Sequence, residues 1–556
     1  MKNTKTIRLK TKRGLSLLLL GTLLLSTGCG SSDTPKDSAA SANVSAKNIG
    51  SEKDDDNLVF SYKDEINNID IIHAYSIDNN AITTAIAEQL FYYDKDSQIQ
   101  KGLVEKEEKP ADNIYVYDIK QNVVFSDGTP LTADDVVFSL DRQRDSEAPG
   151  ELAWMFENVE SIEKTGDYQV TVKLKHPDAT WPYAMATTAS LVISKAYAEQ
   201  HKDDLGTAEG GLVGSGPYVI SSWKQGSEIV LKKNENYWDK SLELDFDTVT
   251  FKFINDVSVS KVALETGDVD VITSLTVDSA DELEKSENVN VQAIDYYGQT
   301  FLSFNNSREP FNDVNVRKAI SYAIDKKAIV DSVYYGKYAG IANALPFGDS
   351  IVTVEKDEWT DFFTNVEKYS YDIEKAKEYL AKSSVPDGFT SKLVYSSTNT
   401  EHESVALVIQ QNLKDIGINI ELEAIPPTEI NTLRYGGSET RDYDLMITLW
   451  VSDYPDPVGV ISPMFVSSNT VSGGSNWVEY RSNDYDKYME LQGKELDTKK
   501  RAKYLQDALT VFADDIPSYT IFYQYGLFGT SSRIDYEVPP LCLYNLFVKD
   551  IKKKDK

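Results

Sequence analysis

The chain has 556 residues, is 41% hydrophobic, and carries 33 Tyr and 20 Phe, so it can bury several cores; its length points to about two to four domains. Acidic residues outnumber basic ones 88 to 57, a formal charge of −31, which repels phosphate backbones and makes nucleic acid a poor partner. Two Cys exclude a disulfide framework and a thiolate zinc cluster, and four scattered His (His73, His176, His201, His402) weaken histidine-based metal or acid–base chemistry.

In chain order, the first feature is an export signal. Lys2, Lys5, Arg8, Lys10, Lys12 and Arg13 precede the apolar run Leu15–Leu25, which is too short to span a bilayer. Leu25-Ser26-Thr27-Gly28-Cys29 follows and resembles the bacterial lipobox, with Ser26 where Leu is usual. That resemblance implies a signal peptide over 1–28 and a lipid on Cys29. Loss of the six basic residues would leave 88 acidic against 51 basic. Residues 29–57 are nearly free of large apolar side chains and read as a flexible tether.

From about Leu58, strand-like and helix-like segments alternate, which predicts an α/β body. Tyr115–Ile119 and Val170–Leu174 read as half-buried strands. Thr132 with Asp134 and Asp135 starts a helix that continues into Val136-Val137-Phe138. Gly210–Pro217 is Gly-rich but lacks a Gly-Lys-Ser/Thr ending and contains Pro217, so it reads as a turn rather than a phosphate loop. Val316, Ala319, Ile320, Ala323 and Ile324 share a helix face after Asp313. Val405, Val408, Ile409, Leu413 and Ile416 share another, which Gly417 is placed to terminate, and Ile418–Ala424 alternates as a strand.

Leu445–Leu449 is an apolar run that ends in Trp450-Val451-Ser452-Asp453-Tyr454-Pro455-Asp456-Pro457. Ligands of open α/β sheets bind beyond the carboxyl ends of strands, and a carboxylate there under aromatic cover can hold an ammonium group. On the residues alone, the reading of Asp453 as a turn starter before Pro455 is the favoured one. No nucleophile elbow and no zincin pattern occurs: Gly214-Ser215-Gly216 lacks the spacing of the first, and His402-Glu403 lacks the second His.

Val124-Phe125-Ser126-Asp127-Gly128-Thr129-Pro130-Leu131-Thr132-Ala133-Asp134-Asp135-Val136 resembles the signature of extracellular solute-binding proteins of family 5, the oligopeptide-binding class. Gly214–Tyr218, Asn234–Trp238, Pro310–Ile320, Ala323–Asp325, Trp450–Pro457 and Ile516-Pro517 extend the resemblance in order over roughly 58–545. It implies a bilobed type II periplasmic-binding-protein-like fold with an inserted domain and a hinge. The expected first lobe comprises 58–85, 211–302 and 522–556, the inserted domain 86–210, and the second lobe 303–521. The implied function is a non-enzymatic, cofactor-free and metal-free monomer, held by the lipid on Cys29 at the outer face of the cell membrane. It would capture oligopeptides and deliver them to the permease subunits of an ABC importer.

Carried onto this sequence, the family's grip on the peptide amino group falls on Asp453. Trp450 and Tyr454 would line the pocket, and the Val451 main chain would pair with the peptide. Tyr297 and Asn305 would form a hinge and cleft wall, and Tyr523 would line the cleft from a return strand. The competing readings are another solute in the same fold (a signalling peptide, a nickel complex or a sugar) and a surface lipoprotein hydrolase.

Overall fold

A computed structural model describes residues 55–145, 149–343, 345–540 and 542–554. The expected signal peptide, tether and Cys29 lie outside them.

The frame is one eleven-stranded sheet. At its first end, the strand Asn57–Tyr62 pairs in parallel with Thr248–Phe253 and Val271–Ile272, and the hairpin Tyr218–Lys224/Glu228–Lys233 completes that edge. At the other end, Phe389–Ser396 pairs in parallel with Ile418–Ile425 and with Leu445–Val451. Parallel strands buried on both faces need helical cover, and each end has it. These two ends are the lobes.

Two long antiparallel strands, Val289–Phe304 and Ser518–Ser531, join the lobes, in register from Val289 opposite Ser531 to Ser303 opposite Ser518. The register slips between Asp295 and Gly298, where Tyr297 adopts a left-handed φ of 60°. A bulge at this point bends both strands where they cross between the lobes. The expected lobe limits at 303 and 522 fall within these two strands. The sequence pattern hides this crossing because the first strand is half-exposed up to Tyr296 and buried from Tyr297 onward.

Local patterning explains the elements that frame the site. In the helix Thr400–Lys414, Val405, Ile409 and Leu413 are buried, and Asn399 caps its start through a 2.8 Å bond to the His402 amide. Gly417 takes φ 85°, as the sequence predicted, and leads directly into Ile418–Ile425. The helix Val314–Ala323 is capped by Asp313, which accepts the Asn315 amide at 2.8 Å.

The segment around 86–210 builds its own four-stranded antiparallel sheet from Val104–Ala111, Ile114–Ile119, Val159–Gly166 and Gln169–Leu174. Tyr115, Tyr117, Ile119, Val170, Val172 and Leu174 are its buried face, and it packs on the helix Ala133–Gln143. Asp135 in that helix accepts the Thr132 amide at 2.9 Å and so fixes the first turn. This core is continuous with Tyr454, Trp477 and Phe512 of the second lobe. Trp154 and Tyr183 of this segment, outside its four strands, pack on Tyr454 in the loop that carries Asp453.

Candidate ligand site at the end of Leu445–Val451

The strand Leu445–Val451 lies beside Val289–Phe304, with Val451 opposite Gly298 and Trp450 opposite Gln299. The chain then leaves the sheet as a tight loop. The Ser452 amide donates to the Tyr297 carbonyl at 3.0 Å, tying the loop to the hinge bulge. Ser452 Oγ donates to the Tyr454 carbonyl at 2.8 Å. Gly459 passes so close that an added Cβ would sit 2.2 Å from Ser452 Oγ, so only glycine fits there. Asp456 closes the loop. It accepts the Val458 amide at 3.0 Å, starting the helix Val458–Phe465, and meets Arg501 in a buried two-pronged pair at 2.6 and 2.8 Å.

This scaffold holds Asp453 at 2% exposure between the lobes. Its Oδ1 accepts the Tyr544 hydroxyl at 2.7 Å, and Tyr75 lies within electrostatic reach of the same carboxyl group. Both tyrosines come from sequence-distant segments. Burial pushes the carboxyl pKa up to about 6, and the neighbouring tyrosine hydroxyls pull against that rise. The turn-starter alternative requires a backbone amide on this carboxylate, and among the described residues there is none. Tyr544→Phe is therefore expected to raise the Asp453 pKa further. Carbon-detected NMR titration of the carboxyl reads this, and an unmoved midpoint would show that the Tyr544 bond does not form.

Tyr454 is buried, with its ring 5.9 Å from Trp154 and 6.0 Å from Tyr183. Trp450 donates from Nε1 to the Gly459 carbonyl at 2.9 Å and packs 5.9 Å from the Trp477 ring. Trp450, Val451, Asp453 and Tyr454 thus share one strand end. A cavity of about 460 Å³ lies between the lobes, lined by Ser76 and Asp78 on one side and by Glu401, His402 and Leu449 on the other; it reaches this strand at Leu449, and its lining does not include Trp450, Val451, Asp453 or Tyr454. Burial raises the Asp78 carboxyl to about 6, although Thr273 donates to it at 2.7 Å. Burial also lowers His402 to about 4, so its imidazole is neutral at pH 7.

The remaining expected residues are placed elsewhere. Tyr297 joins the site indirectly: its carbonyl holds Ser452, and its hydroxyl pairs with Ser97 at 3.1 Å. Asn305, expected as a cleft wall, is 1% exposed. Its amide donates to the Arg441 and Tyr443 carbonyls at 2.9 and 3.1 Å, so its polar groups are committed within the second lobe. The Tyr523 hydroxyl donates to the Phe347 carbonyl at 2.8 Å and accepts the Asn343 amide at 3.2 Å; it borders a separate cavity of about 640 Å³. Tyr75 and Tyr544 were not found from sequence. The abundance of Tyr was the sole signal, and it does not say which ring reaches which carboxylate.

Two α/β lobes joined by paired crossing strands, with a buried acid on the loop after Leu445–Val451, form the bilobed fold of the periplasmic binding proteins. The chain belongs to the bacterial extracellular solute-binding proteins of family 5, whose middle region matches residues 98–472. It is 29% identical over 438 residues to the oligopeptide-binding protein AppA of Bacillus subtilis, covering 75% of this chain and 76% of that one. It is 28% identical over 454 residues to the probable D,D-dipeptide-binding periplasmic protein DdpA of Escherichia coli, covering 80% and 84%. The fold matches that of the periplasmic binding protein DppA from Helicobacter pylori, solved with the peptide STSA. The TM-score is 0.74 at 23% identity, over 90% of this chain and 98% of that one.

Proposed function

We propose that this protein is a lipid-anchored receptor that captures oligopeptides between its lobes and hands them intact to the permease subunits of an ABC importer. The observation that carries the reading is Asp453, a carboxylate removed from water that accepts the Tyr544 hydroxyl and, among the described residues, has no ion-pair partner. A buried carboxylate without a positive partner is costly, and a peptide α-ammonium supplies that charge. The names of the two relatives, both peptide-binding, support the choice of ligand.

The geometry supports the following course of capture. A peptide enters with the lobes apart, its ammonium displaces or joins the Tyr544 hydroxyl on Asp453, and hinge closure at the 295–298 bulge buries it. The free backbone edge at Val451 offers main-chain bonds that do not depend on peptide sequence. Trp450 and Tyr454 give the first residues an apolar surround. The anchor on Cys29 would keep the loaded receptor near its importer.

The test is calorimetry of the purified protein with tri- to pentapeptides, a nickel–histidine chelate and a sugar panel, followed by mass spectrometry of the recovered ligand. Peptide binding with the peptide returned intact supports the reading. Binding confined to the chelate or a sugar, or recovery of cleaved peptide, contradicts it.

A further inference from the structure

The cavity of about 460 Å³ between the lobes carries an acid on each side. Asp78 stands in the first turn of the helix Ile77–Ile86 of one lobe, and Glu401 in the first turn of Thr400–Lys414 of the other. Both are half-buried, and among the described residues neither forms an ion pair. Lys63 is the one lysine or arginine among the described residues of the lining, and it is exposed. Asp64, next to it, adds its own negative field at Asp78.

An acid that opens a helix is ordinarily solvated, and the helix end favours its charge. Asp78 departs from that pattern, because burial raises its carboxyl to about 6 while Thr273 is its one side-chain donor. Buried acids elsewhere in the chain are answered by arginine: Asp70 by Arg142, Asp456 by Arg501 and Glu479 by Arg441. A third lining group points to a ligand independently of the acids. His402 is 7% exposed, and its Nδ1 is sealed from solvent with no hydrogen-bond partner among the described residues. Its ring is neutral at pH 7. With the proton on Nε2, Nδ1 is an acceptor, and a buried acceptor left unpaired is costly. The cavity therefore presents two carboxylates and one imidazole nitrogen, an acceptor set that lacks a cationic donor.

We propose that this cavity takes the guanidinium of an arginine side chain of the bound peptide, held by Asp78 from one lobe and by Glu401 and His402 from the other. This inference rests on the peptide-receptor reading and goes beyond it, because it sets which peptides are preferred. A guanidinium has five donors in a planar fork, enough for both carboxylates and the imidazole. Leu449, where the cavity reaches the strand, precedes Asp453 by four residues, about 13 Å at strand rise. An extended peptide anchored at Asp453 brings its third to fifth residue alongside. A cation that touches acids of both lobes also binds the closed arrangement better than the open one, so the same contact favours closure.

The experiment uses ligand-free full-length protein and alanine pentapeptides that carry arginine at position three, four or five, each compared by calorimetry with its twin carrying citrulline, the neutral isostere. In the unmodified protein, arginine is expected to bind about tenfold or more tightly than citrulline in at least one position. Asp78→Asn combined with Glu401→Gln is expected to cut that ratio below about threefold. Both substitutions keep side-chain size, and position 78 can still accept the Thr273 hydroxyl, so the ratio is read in a folded protein. Ratios below about threefold at all three positions in the unmodified protein, or an arginine preference that survives the double variant, overturn the proposal. If no pentapeptide binds at all, the peptide reading fails, and millimolar ethylguanidinium against ethylurea then decides this inference. A melting temperature raised by ethylguanidinium but not by ethylurea, and by neither in the double variant, supports the cation site. No rise, or the same rise in parent and double variant, overturns it.

Discussion

Asp453→Ala lowers the affinity for a free-amine peptide by at least about tenfold. The carboxylate–ammonium bond is charge-assisted and formed out of water, where such bonds are worth about 1.5–3 kcal/mol, or roughly ten- to 150-fold in Kd. Truncation also strands the buried ammonium, which adds to the loss. The same carboxyl gives the binding a pH signature. It is held at about 6 in the ligand-free protein, so below that pH a proton must leave before the ammonium is accepted. Affinity is then expected to fall by about tenfold per pH unit on the acid side, and calorimetry from pH 8 to pH 4.5 reads it.

The stability of the ligand-free protein moves with the same group. The folded carboxyl holds its proton up to about pH 6, whereas the reference value is 3.8. The native state binds more protons than the unfolded chain between these limits. Stability therefore falls as pH rises from about 4 to 6, and the penalty is complete above 6. Asp453→Asn removes the charge, so at pH 8 the ligand-free variant is expected to exceed the parent by about 2–3 kcal/mol, a gap that closes toward pH 4. A variant that binds worse yet folds more stably is the signature of a group retained for its ligand.

The second large effect concerns the loop itself. Arg501→Met leaves Asp456 buried without its cation, and removing one partner of a buried pair costs about 3–5 kcal/mol. Because Asp456 starts the helix Val458–Phe465 and ends the Asp453 loop, peptide affinity should fall with stability. Arg501→Met combined with Asp456→Leu is expected to recover much of the stability, since no lone charge remains. Urea unfolding of the two single variants and the double variant measures this. A single-variant loss under about 1 kcal/mol would show that the pair does not hold the loop.

Local elements were legible in the sequence wherever one face of one segment sets the burial pattern. Val405, Ile409 and Leu413 mark a helix face, Gly417 its end, and 418–424 a strand one residue short of the observed Ile418–Ile425. The crossing strands were not legible. Val289–Phe304 alternates weakly in one half and is buried throughout the other, because it serves two lobes. The loop 450–457 was marked by resemblance, yet the groups that solvate Asp453 arrive from both ends of the chain. Asn305 and Tyr523 show the converse. A polar or aromatic residue on a hinge-proximal strand looks like a cleft wall, but its neighbours take up its hydrogen bonds: Arg441 and Tyr443 for the first, Asn343 and Phe347 for the second.

The most direct measurement is a calorimetric comparison of one tetrapeptide with its N-acetylated form at pH 7.5, using the unmodified protein and Asp453→Ala. Acetylation should cost the unmodified protein at least about tenfold in affinity and the variant little, because the two changes remove the same bond. Equal affinity of both peptides for the unmodified protein would contradict the assignment of Asp453 to the peptide amino group.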